Sequence, residues 1–254
     1  MPVHPSVLQV FVWESIGTAI MILLGAGVVA TVVLKQSKGH GGGWLLINMG
    51  WGMAVFAGAS IAWRSGAHLN PAVTLGLTIS NKSPWALVPV YFGAELLGAF
   101  VGAVLCWLAF KKNFDAEADH SESVSIFATA PAVRHYGWNT VTEVIATFVL
   151  VFWILLSPGL SATDGVASLN VGNAGLGYAA VAFVVLGLGA SLGGPTGYAI
   201  NPARDLGPRV AYALLPIKGK GSADWRYAWV PIVGPLLGGA LAGLLFLATR
   251  GTLG

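Results

Sequence analysis

GAHLNPAVT, residues 66–74, and GYAINPARD, residues 197–205, are two copies of one short pattern in a chain of 254 residues. Both copies contain Asn-Pro-Ala, and they differ most clearly where Val73 of the first is matched by Arg204 of the second. Only 9% of the chain is Asp, Glu, Lys or Arg, so a charge in one copy alone needs a physical reason. The two loops carry the strongest structural signal in the sequence.

The chain around these loops is strongly apolar. Hydrophobic residues make up 56% of it, and the mean hydropathy is +0.75, which is rare for a soluble domain of this length because a soluble surface needs charge. About 20 apolar residues span a bilayer as a helix. Six runs approach or exceed that length: roughly 8–34, 44–63, 86–110, 139–157, 174–194 and 228–249. The sequence predicts an all-α integral membrane protein with six transmembrane helices.

Each Asn-Pro-Ala loop reads as the start of a further, shorter helix. Asn70 and Asn201 are favoured N-cap residues, and proline fits the first helical turn, where its missing N–H costs nothing. The apolar stretch after Asn70 lasts ten residues, about 15 Å, or half the hydrocarbon core. We expect two half-helices whose N-termini meet near the membrane midplane. Irregular backbone before them is tolerated there only against protein or water, so backbone carbonyls should line a path at Gly66, Ala67, His68, Gly197 and Ala199.

Other classes of function find little support in the sequence. The net charge of +3 is too small and dispersed for nucleic-acid binding, and the single cysteine, Cys106, excludes an intrachain disulfide. No phosphate-binding loop, metal-ligand cluster or nucleophile elbow is present in the sequence. We therefore expect no cofactor, no metal site and no enzymatic activity.

The sequence contains an internal repeat within one domain, residues 1–254. Glu14 precedes Asn70 by 56 residues and Glu143 precedes Asn201 by 58, and similar apolar helices follow both loops. The repeat halves are about 8–110 and 139–249. Three spans in each half is an odd number, so the second half enters the membrane from the opposite side, which predicts an inverted repeat.

The paired Asn-Pro-Ala motifs, the repeat and the glutamate positions resemble the aquaporin, or major intrinsic protein, family over nearly the whole chain. The resemblance implies six tilted helices and two half-helices that form a pore in each subunit of a homotetramer. It implies that Asn70 and Asn201 face the pore, and that Glu14 and Glu143 hold the loops by accepting backbone hydrogen bonds. A proton relay is the rival interpretation of these glutamates, and the role of Glu95 stays open.

The resemblance also assigns the constriction that selects solutes. Arg204 matches the arginine that follows the second motif, where a fixed positive charge orients hydroxyls and repels cations. Trp51 and Tyr198 match the two aromatic positions of the aquaglyceroporin branch, and Gly189 falls where water-selective members have histidine. We expect the aromatic pair to form an apolar corner with Arg204 opposite it, and Gly189 to widen the opening. The implied function is passive conduction of glycerol and other small neutral solutes, as in bacterial-type glycerol uptake facilitators.

Three alternatives stay open at this point. An ion-coupled secondary transporter also uses inverted repeats and broken helices, a membrane enzyme has only His68 in its favour, and a water-dominant, urea- or metalloid-permeable pore would share the same motifs. The expected location is a bacterial inner membrane. The motif match places both termini in the cytoplasm, whereas the positive-inside rule points the other way, because the loops assigned to the outside hold Lys35, Lys38, Lys111, Lys112, Arg134, Lys218, Lys220 and Arg226.

Overall fold

A computed structural model describes residues 5–157, 161–164, 167–170 and 176–251. In chain order the elements are α1 (Val7–Val33), α2 (Gly43–Ile61), α3 (Pro71–Ile79), α4 (Val88–Ala109), α5 (Lys111–Ala116), α6 (Val124–Phe127), α7 (Tyr136–Leu156), β1 (Ser161–Asp164), β2 (Ala167–Asn170), α8 (Leu176–Leu192), α9 (Pro202–Leu214) and α10 (Val230–Thr249). The predicted membrane fold of long helices with two half-helices is confirmed.

Five of the long helices meet the length and hydropathy of a membrane span: α1, α2, α4 with the turn before it, α7 and α10. The sixth, α8, has 17 residues as described, at the lower end of the range that can cross a bilayer. The run predicted for it, 174–194, begins outside the described residues. The small antiparallel hairpin of β1 and β2, with Ser161 opposite Asn170, was not predicted, because its polar residues lie in what reads as a loop.

The half-helices begin where the sequence places them. The side-chain oxygen of Asn70 accepts from the backbone N–H of Ala72 at 2.9 Å, and that of Asn201 accepts from Ala203 at 2.9 Å and from Arg204 at 3.1 Å. The helices that follow have nine and 13 residues, too few to span. Buried asparagine side chains therefore cap both N-termini.

Glycines bring the long helices close together in the same way in each half. A Cβ at Gly98 of α4 would overlap the carbonyl oxygen of Ser15 in α1, and a Cβ at Gly238 of α10 would overlap that of Val144 in α7. Membrane helices associate by such close packing because lipid offers no hydrophobic driving force between them. The pairs α1–α4 and α7–α10 form the frame on which the two loops are mounted.

Candidate functional site

A cavity of about 150 Å³ lies where the two half-helices meet. Residues from both Asn-Pro-Ala loops line it, together with side chains of α2, α7 and α8. Of the residues expected at the path, it contains Trp51, Gly66, Ala67, His68, Asn70, Tyr198, Ala199, Asn201 and Arg204. Gly189 and Gly197 are not part of its lining. The sequence did not indicate the apolar wall formed by Met21, Val55, Leu150, Ile154, Tyr178, Val181 and Val185, because nothing in a uniformly apolar helix marks its pore-facing side.

The two loops are joined directly at the cavity. One N–H of the Asn70 amide donates to the carbonyl of Ile200 at 2.8 Å, and one N–H of the Asn201 amide donates to that of Leu69 at 2.8 Å. Each amide thus caps its own helix with its oxygen and holds the opposite loop with its nitrogen. The second N–H of each amide remains available to a solute in the cavity.

The backbone that precedes each half-helix is strained in the same alternating pattern. Ala67 and Leu69 have φ of 54°, and Tyr198 and Ile200 have φ of 39° and 45°. A left-handed conformation costs a residue with a side chain about 1–2 kcal/mol, and it persists only where the surroundings impose it. The loops therefore need fixed partners.

Two buried glutamates supply those partners. Glu14 accepts from the Ser65 hydroxyl at 2.6 Å and from the N–H groups of His68 and Leu69 at 3.1 and 2.7 Å. On the second loop, Glu143 accepts from the Thr196 hydroxyl at 2.7 Å and from the N–H groups of Ala199 and Ile200 at 3.0 and 2.8 Å. Every carboxylate oxygen is bonded and neither residue lines the cavity. Both carboxylates thus bond the loops and do not face the cavity, which is the geometry that loop holding requires.

His68 lines the cavity, and contacts with neighbouring side chains hold its ring in place. Its Nδ1 lies 2.9 Å from the Thr74 hydroxyl oxygen, and Thr74 donates its own proton to Glu95 at 2.9 Å. Nδ1 is therefore engaged by Thr74, which leaves Nε2 as the ring nitrogen without a protein partner among the described residues. The ring stacks on Tyr91 with the centroids 3.9 Å apart. The position of the His68 ring is thus fixed, and Glu95 lies behind it, outside the cavity lining.

Arg204 lies over Trp51, and the expectation that it stands opposite the aromatic corner is wrong. Its guanidinium carbon is 4.1 Å from the centre of the indole ring, a distance typical of cation–π stacking. The indole of Trp51 also packs against Gly25, where a Cβ would come within 2.5 Å of the ring. Among the described residues no side chain or carbonyl accepts a hydrogen bond from the guanidinium, so its donors are free for a solute.

Gly189 differs from its expected role as an open part of the wall. A Cβ at this position would lie 2.6 Å from Cζ and 2.9 Å from the hydroxyl oxygen of Tyr198 and would overlap the side-chain oxygen of Asn48. The space that glycine leaves is therefore filled by the Tyr198 ring. The absence of a side chain at Gly189 makes room for the aromatic residue and widens the path only indirectly.

Asp205 pairs with Arg209 and not with its neighbour Arg204, as the helix geometry predicts. The pair is fully buried, with Arg209 Nε 2.7 Å from Asp205. Arg209 also donates to the carbonyls of Thr129 and Ala223 at 2.9 and 2.6 Å. Two connecting segments, one before α7 and one before α10, are thereby tied to the half-helix that carries Arg204.

A second ion pair joins the same two segments at the surface. The two terminal guanidinium nitrogens of Arg134, Nη1 and Nη2, donate to the carboxylate of Asp224 at 3.1 and 2.6 Å. These hydrogen bonds raise the pKa of the Arg134 guanidinium above its usual value. The pair is partly exposed, so water and salt screen it, and it contributes at most about 1 kcal/mol.

Comparison with known proteins places these features in a wider group. A family model described as Major intrinsic protein matches residues 2–246. The chain is 48% identical over 240 residues to the probable glycerol uptake facilitator protein of Thermotoga maritima, covering 94% of this chain and 98% of that one. It is 46% identical to the glycerol uptake facilitator protein of Bacillus subtilis, covering 92% and 82%. The X-ray structure of the aquaglyceroporin from Plasmodium falciparum superposes with a TM-score of 0.79 at 29% identity, over 98% of both chains.

Proposed function

The protein belongs to the major intrinsic protein family, a family of membrane channels and not of enzymes, and from this premise we propose that it conducts glycerol and other small neutral solutes passively. The observation that carries the proposal is a cavity whose lining combines polar and apolar groups. One part presents hydrogen-bonding groups: the free donors of Arg204, the amides of Asn70 and Asn201, and Nε2 of His68. The other part is the apolar wall described above. A polyol has hydroxyls for the first and C–H groups for the second.

The route is passive because it offers no place to couple an ion. Among the described residues the cavity lining contains no carboxylate. Both oxygens of Glu14 and of Glu143 are occupied by the loops. Coupled transporters place their ion sites beside the substrate, at broken helices near the midplane, and here that place is taken by amides and N-terminal helix ends.

Two sources of positive potential exclude cations and protons from the path. Each half-helix N-terminus acts as roughly half a positive charge, and both point to the same cavity. Arg204 adds a full charge that it keeps at any physiological pH. Neutral hydroxyl compounds do not meet this barrier, whereas a cation does.

The remaining parts of the proposal concern assembly and placement. The outward faces of the long helices are apolar, for example at Leu8, Leu97, Leu105 and Leu241, which fits burial against lipid and against neighbouring subunits. We place the protein in a bacterial cell membrane as a homotetramer with a pore in each subunit. We also place both termini in the cytoplasm and Arg204 at the outer mouth.

Stopped-flow light scattering of proteoliposomes tests the conduction directly. Vesicles that contain the protein should take up glycerol faster than empty vesicles, without saturation and without an imposed ion gradient, and should exclude sucrose. Urea and water fluxes measured on the same vesicles rank the other solutes. Glycerol uptake that required a proton or sodium gradient would overturn the proposal, as would uptake no faster than that of empty vesicles.

A further inference from the structure

The Tyr198 ring is packed against residues that do not line the cavity. Gly189 lies against its hydroxyl end, and a Cβ at Gly193 would come 2.5 Å from its Cδ1. The indole of Trp44 meets the ring edge-on, with the centroids 5.7 Å apart, and its N–H donates to the Gly189 carbonyl at 3.1 Å. These contacts limit sideways movement of the ring, yet none of them bonds its hydroxyl.

The hydroxyl shares its space with one other polar group, the side-chain amide of Asn48. Asn48 is fully buried in α2. Its side-chain oxygen and the Tyr198 hydroxyl both lie within 3 Å of one point, the position that a Cβ of Gly189 would occupy. Neither polar atom of Asn48 nor the Tyr198 hydroxyl has a hydrogen-bond partner among the described residues.

Buried polar groups in native proteins are almost always satisfied, by protein or by an ordered water. Two unpaired groups that flank one point satisfy each other at least cost, either directly after a small rotation or through a single water between them. The three heavy atoms nearest to that point are the Asn48 side-chain oxygen and the Cζ and hydroxyl oxygen of Tyr198. The hydroxyl can donate and the amide oxygen can accept, so the chemistry is complementary.

We propose that Asn48 is a specificity-determining residue that acts through Tyr198: its amide oxygen accepts a hydrogen bond from the Tyr198 hydroxyl, directly or through one water, and so fixes how far the ring stands into the path. Asn48 lies behind the cavity wall and does not touch the solute. It is a positioning residue. This inference rests on the proposed glycerol conduction, because the ring position matters only for a solute that passes it.

The expected effect appears in the ratio of glycerol to water permeability. Asn48→Leu removes the polar atoms at similar volume, and Tyr198→Phe removes only the hydroxyl. Either change frees the ring to occupy the path, which impedes glycerol more than the smaller water. The ratio should fall roughly two- to tenfold in each variant, the range set by one net hydrogen bond. The double variant should fall no further than either single one.

A matched control separates this role from general packing. Thr147 of α7 is also fully buried with an unpaired hydroxyl, but it does not line the cavity. Thr147→Val should keep the wild-type ratio. A ratio unchanged in Tyr198→Phe would overturn the inference, and so would additive losses in the double variant. If Asn48→Leu does not insert, an unchanged ratio in Tyr198→Phe alone still overturns the inference.

A second measurement does not depend on transport. The Cζ resonance of a tyrosine in solid-state nuclear magnetic resonance reports the hydrogen bond of its hydroxyl. Among the six tyrosines, that of Tyr198 is the one absent from Tyr198→Phe. It should shift in Asn48→Leu and stay in place in Thr147→Val, and no shift in Asn48→Leu would refute the bond. If wild-type vesicles conducted no glycerol, the proposed function would fail while this spectrum still tested the bond.

Discussion

Gly189→Ala adds the smallest possible side chain at the point where the Tyr198 ring meets α8. The new methyl would overlap the side-chain oxygen of Asn48 and lie 2.6 Å from Cζ of the ring, whereas carbon atoms in contact are about 3.5–4 Å apart. The ring must therefore retreat by about 1 Å. Gly193 and Trp44 close its other sides, so it moves into the cavity. The substitution therefore narrows the path through the ring, although Gly189 itself does not line the cavity.

The expected loss of glycerol flux follows from the cost of moving the Tyr198 ring out of the path. To pass, it has to push the ring back against the methyl, which restores an overpacked contact that costs about 1–3 kcal/mol. Added to the barrier, this slows glycerol roughly 5- to 150-fold. Water needs less width and should lose much less. Stopped-flow measurement of both fluxes on the same vesicles gives the two ratios.

Gly187→Ala is the matched control on the same helix, because a Cβ there meets nothing within 4 Å. It should insert normally and keep both fluxes. If Gly189→Ala conducted glycerol as fast as Gly187→Ala, the ring would not be packed against Gly189 as described. An equal proportional loss of water and glycerol would mean that the ring does not stand at the width-limiting point.

Three further substitutions test the charged groups. Arg204→Val should raise proton leak, followed with a pH dye inside vesicles, while glycerol still passes; a leak equal to wild type in correctly inserted protein would remove Arg204 from the barrier. Glu143→Gln leaves a buried loop N–H unpaired and should lower the free energy of unfolding in detergent by about 1–3 kcal/mol. The exposed Glu122→Gln is its control, and equal stability of the two variants would contradict the loop-holding role. Arg209→Met strands the buried charge of Asp205 and should cost about 3–5 kcal/mol, seen as a lower thermal midpoint; a midpoint at the wild-type value would show that the pair is not needed.

The parts of the structure that the sequence predicted depend on local chemistry or on the repeat. Asn70 and Asn201 could be identified as caps because capping involves only the next few residues. Glu14 and Glu143 could be paired with the loops because they recur at matched separations in the two halves. The roles assigned to these residues remain proposals, although the hydrogen bonds that they make are those that the roles require.

What the sequence could not supply are contacts between distant helices. It showed that Gly189 lacks a side chain, but not that a ring from the second loop fills the space. It gave no sign of Asn48, which is an ordinary polar residue in an apolar helix until its neighbours are known. It likewise could not show that Gly25 supports the indole of Trp51, because a small residue in a membrane helix can face any partner.

The crossed amide bonds between the loops have the form of a contact between two identical subunits. Asn70 reaches Ile200, and its counterpart Asn201 reaches Leu69, the counterpart of Ile200. In a symmetric dimer residue i of one copy meets j of the other and j meets i, and here both copies lie on one chain. A single half holds only one side of each bond. The pore is thus built like the interface of a two-fold dimer whose subunits are covalently joined, and the second half completes the first as a partner chain would.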